Sequence, residues 1–378
     1  MSVFLRTVDT FQPETKSLPG RFYFDETVFD LEREKIFAED WICVGREEEI
    51  PEPGGFVLAE VAGESILVVR SAADRVSAFY NLCRHRGSRL CRDAQGRLED
   101  RIRCPYHAWT YDLDGALVLA PRMDEVPGFD GAAHGLHRVH VGVAGGLVFV
   151  SLAQRPRPFA QEVEPHFARF GPWALPSLKV RRRIDYDVAA NWKVVCENYS
   201  ECYHCPSVHP AFTRRVHPRS GRNDAYAGPL LGGHMELTAG TSSLTATGAL
   251  CGPVLGTVGG DDLARVYFYS LFPNLMVSLH PDYVMTHMIQ PLSATRTRVR
   301  CEWLFAAGAA GGADCDPDEA VALWDPVNRE DWEVCEGVQL GVGSRAHRPS
   351  PFSSAESLSQ AFNQQYLGAL GLEDLASV

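Results

Sequence analysis

The sequence predicts an α+β protein: a small all-β domain, then a larger domain of antiparallel sheet covered by helices. Two observations carry this. Between about residues 41 and 153, short β-patterned runs (55–61, 65–70, 76–81, 101–104 and 146–152) alternate with Gly, Pro and Asp turns. Beyond residue 180 the pattern is mixed: 183–188, 264–270, 275–280, 283–291 and 297–305 read as strands, and 192–203 and 317–343 read as helices, the second interrupted at Pro326.

The remaining segments fit around these. Residues 21–41 carry helical periodicity through Val28, Leu31, Ile36 and Phe37. Residues 154–180 hold Pro156, Pro158, Pro165, Pro172 and Pro176 and read as a connection. Residues 213–263 are rich in Gly, Ser and Thr and are expected to be loops over a site. The expected organisation is a helical segment over 1–40, the β domain over 41–155 and the larger domain over 156–378.

Composition narrows the class. A chain of 378 residues that is 45% hydrophobic and 22% charged is globular, with room for two to three domains. A net charge of −12 argues against a nucleic-acid surface, and the longest basic run, Arg181–Arg182–Arg183, reads as a solvated strand edge. Neither a signal peptide nor a membrane-spanning stretch is recognisable, so a cytoplasmic protein is expected. Eleven irregularly spaced cysteines read as reduced thiols, some of them metal ligands, rather than as a disulfide framework.

The most informative motif is Cys83-Arg84-His85-Arg86-Gly87, followed by Cys104-Pro105-Tyr106-His107. Each loop offers one Cys and one His. Two thiolates on one iron and two imidazoles on the other is the Rieske [2Fe–2S] arrangement. A Cys₂His₂ zinc site is the alternative, although zinc fingers usually group two Cys and then two His.

A second block, Glu197-Asn198-Tyr199-Ser200-Glu201-Cys202-Tyr203-His204-Cys205-Pro206-Ser207-Val208-His209-Pro210, places His204 and His209 five apart. That spacing does not share a helix face. Pro206 and Pro210 are expected to end the helix and let His209 swing toward His204. Two His need a carboxylate for a facial triad with open positions on Fe(II). Asp331 is the candidate: on a helix it shares an otherwise apolar stripe with Val334, Cys335 and Val338. Asp325 is the runner-up, and Glu330 and Glu333 read as solvated. The bland reading of Asp331 is an acidic residue offsetting a helix dipole.

The stretch CRHRG…CPYHAWTYDLDG resembles the Rieske domain of Rieske non-haem iron oxygenase alpha subunits. It is less similar to respiratory Rieske proteins, whose extra cysteines fall at Ser88 and Tyr106 here. NWKVVCENYSECYHCPSVHP and EDWEVCEGVQLGVGS resemble the branch containing choline monooxygenase and glycine-betaine demethylases. The resemblance implies a Rieske cluster on Cys83, His85, Cys104 and His107, and a mononuclear non-haem Fe(II) on His204, His209 and Asp331. It also implies catalytic roles for Glu201 and Asn198. Glu201 would link the two metal centres across the boundary of a head-to-tail homotrimer, through His85 or His107 of a neighbour. The implied partners are O₂, a small-molecule substrate and a flavin- and NAD(P)H-dependent reductase or ferredoxin.

A quaternary or tertiary amine substrate calls for cation–π surfaces, with Tyr203, Tyr267, Tyr269, Phe272 and Tyr283 as candidates. For each of these the default reading is ordinary core packing. Phe268 alternates away from Tyr267 and Tyr269, so the three cannot all face one pocket. Two alternatives stand beside an amine oxygenase or demethylase. One is an aromatic-ring hydroxylating or O-demethylating enzyme of the same fold. The other is a Rieske electron carrier without substrate chemistry, against which the second metal block argues.

Overall fold

The structure, a computed structural model, describes residues 3–225, 228–309 and 315–372. The chain forms two compact units, one of residues 33–165 and one of residues 1–32 with 166–378. The N-terminal segment is therefore not a separate element, and the boundary falls ten residues beyond the position expected from sequence.

The smaller unit is built on a seven-stranded antiparallel sheet, ordered Ile42–Arg46, Leu147–Ser151, Arg138–Ala144, Arg75–Tyr80, Glu64–Ala72, Gly55–Val61, Gln95–Arg97. A three-stranded sheet, Arg101–Arg103, Thr110–Asp112 and Leu117–Leu119, stands beside it. Phe56, Leu67, Phe79, Trp109 and Tyr111 form the core between them, and Cys83 and Cys104 belong to the same cluster. Strands such as Leu147–Ser151 and the middle of Glu64–Ala72 are buried on both faces, and both motif loops sit at the rim of the core.

The larger unit centres on an eight-stranded antiparallel sheet. Its order is Phe4–Arg6, Arg222–Asp224, Leu230–Glu236, Arg265–Leu271, Leu275–Leu279, Val284–Ser293, Arg296–Ala306 and Leu178–Val188. The helices Trp192–Tyr199, Pro317–Val342 and Ser357–Leu370 pack with one another and against the sheet. Part of the segment expected to be loops is strand. Leu230–Glu236 reads LLGGHME, and its glycines hide a β pattern. They are needed because a Cβ at Gly233 would collide with the backbone carbonyl of Arg222 on the neighbouring strand.

Three helix expectations change. The helix from Trp192 ends at Tyr199, four residues early, with the Ser200 amide and hydroxyl both donating to the Cys196 carbonyl at its C-terminus. Pro206 does not terminate a helix, whereas Pro210 follows directly on the non-helical His209 that ends Cys205–Val208. Each sits in the first turn of a four-residue helix, Cys205–Val208 and Pro210–Thr213, where a missing N–H costs nothing. Pro326 does not interrupt Pro317–Val342. It lies on the exposed face, so the carbonyl it cannot serve looks toward solvent.

A polar knot lies within this unit. The fully buried Lys193 ammonium meets the fully buried Glu32 carboxylate. Glu32 also accepts from Trp192 Nε1 and the Tyr366 hydroxyl, both at 2.7 Å. Burial lowers the Lys193 pKa, against the pull of Glu32.

Candidate metal centres and substrate cavity

In the smaller unit the two motif loops fold alike. Gly87 N bonds to Cys83 O and Ala108 N to Cys104 O, and both residues, four after their cysteine, take left-handed φ (+68° and +57°). Gly87 suits this conformation, whereas Ala108 accepts strain there. Each loop is thereby turned so that its cysteine points inward and its histidine outward. Cys83 and Cys104 are 2% and 3% exposed, while His85 and His107 are at the surface with ring centroids 4.8 Å apart. The Tyr111 hydroxyl lies 3.3 Å from Cys83 Sγ, and Trp109 stacks on His85 at 4.9 Å. Two deep thiols and two shallow imidazoles, drawn from two loops, match the donor set of a Rieske cluster. Burial raises the pKa of the Cys83 thiol.

In the larger unit, His204 lies just before Cys205–Val208, His209 lies at the break before Pro210–Thr213, and Asp331 lies on Pro317–Val342. Asp331 Oδ1 is 3.3 Å from His204 Nε2 and 2.9 Å from His209 Nε2, and the two Nε2 atoms are 3.2 Å apart. A metal with cis ligands at about 2.1 Å holds its donors about 3.0 Å apart, so the three atoms already stand as one face of an octahedron. The candidate ligand atoms of the three residues all lie within 4.8 Å of one another, close enough to hold a single metal ion. Burial raises the Asp331 carboxyl, but hydrogen bonds from His204 and His209 win and hold it at about 2. Burial lowers His204, but Asp331 and Glu201 lift it to about 9. The runner-up Asp325 accepts from the Tyr186 hydroxyl and pairs with Arg329, away from the histidines.

Each imidazole is oriented from behind. Glu201 meets His204 Nδ1 at 2.5 Å and also accepts from the amides of Tyr203 and His204. Glu330 meets His209 Nδ1 at 2.7 Å. Sequence reading took Glu330 as solvated because it lies off the apolar stripe. It is indeed half-exposed, but one oxygen turns inward to the ring. Asn198 Nδ2 donates to Asp331 Oδ1 at 2.7 Å. Carboxylates behind metal-binding imidazoles fix tautomer and aim, and removing one costs about 10–100-fold in metal affinity. Glu330→Gln is therefore expected to weaken Fe(II) binding by about that factor, read by chelator competition. An unchanged affinity would make Glu330 a surface acid.

His204, His209 and Asp331 open on a cavity of 850 Å³. Tyr199, Phe212, Phe268 and Trp324 contribute to its wall. Phe212 lies 5.7 Å from Trp324 and 6.3 Å from Phe268, and Tyr199 lies 6.3 Å from Phe268. Of the five aromatic residues expected here, only Tyr203 lines it, 64% exposed. Tyr267 and Tyr269 project from the opposite face of the sheet, toward Trp173 and Phe170, with their hydroxyls on Asp262 and Asp224. Phe272 packs against Trp192 and Phe362. Tyr283 is fully buried, its hydroxyl bonded to the Leu244 carbonyl and to Trp324 Nε1. The strand alternation that separated Phe268 from its tyrosine neighbours was the usable signal, and Phe268 is the one that faces the cavity.

Cysteine pairing also differs from expectation: Cys202 and Cys205 are joined in a disulfide. The other nine cysteines form no disulfide.

A small β unit with a two-loop Cys/His site and a helix-covered sheet with a His/His/Asp site together define a Rieske-type iron oxygenase. Comparison with known proteins agrees: residues 40–130 match the Rieske [2Fe-2S] domain, and residues 175–371 match the ring hydroxylating alpha subunit catalytic domain. The chain belongs to this family of Rieske ring-hydroxylating oxygenases, whose cofactors are a [2Fe–2S] cluster and a mononuclear non-haem iron. It is 33% identical to the glycine betaine monooxygenase oxygenase subunit of Chromohalobacter salexigens, over 89% of this chain and 82% of that protein. It is 37% identical to the carnitine monooxygenase oxygenase subunit of Escherichia coli K12, over 89% and 86%. The structure resembles that of the quaternary ammonium Rieske monooxygenase CntA in complex with L-carnitine (TM-score 0.78, 25% identity, 96% of this chain and 97% of that one). No helix among the described residues is long and apolar enough to cross a membrane.

Proposed function

We propose that this oxygenase hydroxylates or N-demethylates a small quaternary or tertiary amine such as a betaine or choline. The observation that carries the reading is the aromatic wall of the cavity that opens on His204, His209 and Asp331. A quaternary ammonium has no N–H to donate, so it is held by ring faces, each contributing about 0.5–2 kcal/mol. Tyr199, Phe212, Phe268 and Trp324 offer such faces. The relatives named for glycine betaine and carnitine support the same class of substrate.

His204, His209 and Asp331 would hold the mononuclear iron, and Cys83, His85, Cys104 and His107 the cluster. When bound, these groups supply single electrons and O₂ activation. The chain's own contribution is positional. Glu201 and Glu330 aim the imidazoles, Asn198 steadies the Asp331 carboxylate, and the aromatic wall excludes water and orients the methyl groups. Hydroxylating an N-methyl carbon gives a carbinolamine, which releases formaldehyde and leaves the shorter amine.

The electrons come from a separate reductase or ferredoxin, flavin- and NAD(P)H-dependent, and the working assembly is a homotrimer or a multiple of it in the cytoplasm. In that assembly Glu201 relays between the centres of neighbouring subunits. Glu201→Gln is expected to halt coupled turnover while both metal centres stay loaded. Normal coupled turnover in that variant would remove Glu201 from the relay.

The function is tested by single turnover of the reduced, iron-replete protein with O₂ against choline, glycine betaine, carnitine and benzoate-type aromatics. Formaldehyde or an aldehyde from an amine is the expected result. Oxidation of an aromatic alone would overturn the substrate class and leave the metal sites standing.

A further inference from the structure

The loop that supplies His204 carries chemistry that oxygenation does not use. Cys202 and Cys205 are bonded, with their Cα atoms 4.9 Å apart, and His204 lies inside the ring they close. Disulfide pairing is confined to this place: the other cysteines form no disulfide, and all of them except Cys315 are buried. Glu201, the residue before the ring, receives the amides of Tyr203 and His204 and the His204 Nδ1. The closed ring therefore fixes the backbone from which both the imidazole and its orienting carboxylate project. Both sulfur-bearing residues line the same cavity as His204, within reach of small solutes that enter it.

We propose that Cys202 and Cys205 form a reversible thiol–disulfide site, whose closed form holds His204 in register for iron and whose open form releases that hold. The inference rests on His204 being an iron ligand. The oxidant is peroxide, the product of O₂ reduction that is not coupled to substrate. One thiol attacks peroxide, breaking the O–O bond to give a sulfenic acid and one water. The second thiol displaces hydroxide from the sulfenic sulfur, which leaves with the thiol proton as a second water and forms the S–S bond. Two thiols lose two electrons, and one peroxide becomes two waters. A cellular dithiol reopens the ring: its thiolate attacks one sulfur to give a mixed disulfide, and its second thiol resolves that, leaving two protein thiols and an oxidised donor.

Oxidation here has a protective logic. Peroxide released by uncoupled O₂ reduction would meet the cysteine pair beside His204. The pair consumes it and at the same time tightens the loop that keeps the metal.

The test uses the holoenzyme, reduced with a dithiol, freed of it without O₂, and divided. One half receives peroxide at one equivalent per chain. Alkylation and peptide mapping report the state of Cys202 and Cys205, and transfer of Fe(II) to a colorimetric chelator reports retention of the mononuclear iron. Expected are two labels in the reduced half, none in the oxidised half, and severalfold faster iron release from the reduced half. In Cys202→Ser the release rate should not respond to peroxide. The proposal is overturned if the pair stays labelled after peroxide, if both halves release iron at one rate, or if Cys202→Ser responds as the parent does. Wild-type protein that never loads the mononuclear iron would instead overturn the assignment of His204, and the labelling result would still decide whether the pair is redox-active.

Discussion

Asp331→Ala should remove about one iron per chain and abolish substrate oxidation, while the visible spectrum of the [2Fe–2S] cluster stays unchanged. The three donor atoms share one point within 3.3 Å, and Asp331 Oδ1 is common to both short contacts and to the Asn198 bond. Removing it leaves two imidazoles whose mutual alignment the carboxylate enforces. Loss of a mere supporting partner costs about 10–100-fold, so loss of a ligand should exceed a hundredfold in turnover. Asp325→Ala is the matched control, because that side chain is committed to Tyr186 and Arg329. Metal analysis beside activity decides the matter. Retained iron with lost activity would make Asp331 a group acting on substrate rather than on the metal.

The second large effect is on folding. Lys193→Met should destabilise the larger unit by about 3–5 kcal/mol, because it leaves the Glu32 carboxylate buried beside Trp192 and Tyr366 without a counter-charge. At about 2–4 °C per kcal/mol for a domain of this size, the thermal midpoint should fall by roughly 6–20 °C. The double variant Lys193→Met/Glu32→Gln should recover most of that loss, since a neutral amide can keep bonds to the same tyrosine and tryptophan donors. Thermal unfolding followed by circular dichroism reads both. A double variant no better than the single one would show that the ion pair itself, and not the avoidance of a bare charge, stabilises the knot.

How far the sequence carried depends on what kind of pattern was present. The Cys/His spacing and the alternating strands of the smaller unit are local signals, and they located the motif loops and about half of the strands around them. Asp331 was legible because a carboxylate on an apolar helical stripe has few reasons to be there. Glu330 was missed because its contact depends on how a half-exposed side chain bends back, which periodicity does not encode. The strand Leu230–Glu236 was missed because paired glycines mask it, although crowding by Arg222 is why they are there. The cavity aromatics were misassigned for a geometric reason. Sequence counts aromatic residues on strands, but only register and the face that the helices cover decide which of them meet the cavity. The Tyr267/Phe268 alternation held that information and needed only the side of the sheet to be known.

The larger unit is interrupted by the smaller one: residues 1–32 belong with 166–378, and 33–165 lie between them in the chain. This matters on the ribosome. The strand Phe4–Arg6 is made early but pairs with Arg222–Asp224, and Glu32 is made early but answers Lys193. At roughly 5–20 residues per second, the amino terminus waits on the order of ten seconds or more for its partners. The β unit can fold within that interval. In the order of synthesis, the electron-carrying module is ready first, and the chamber that spends the electrons closes last.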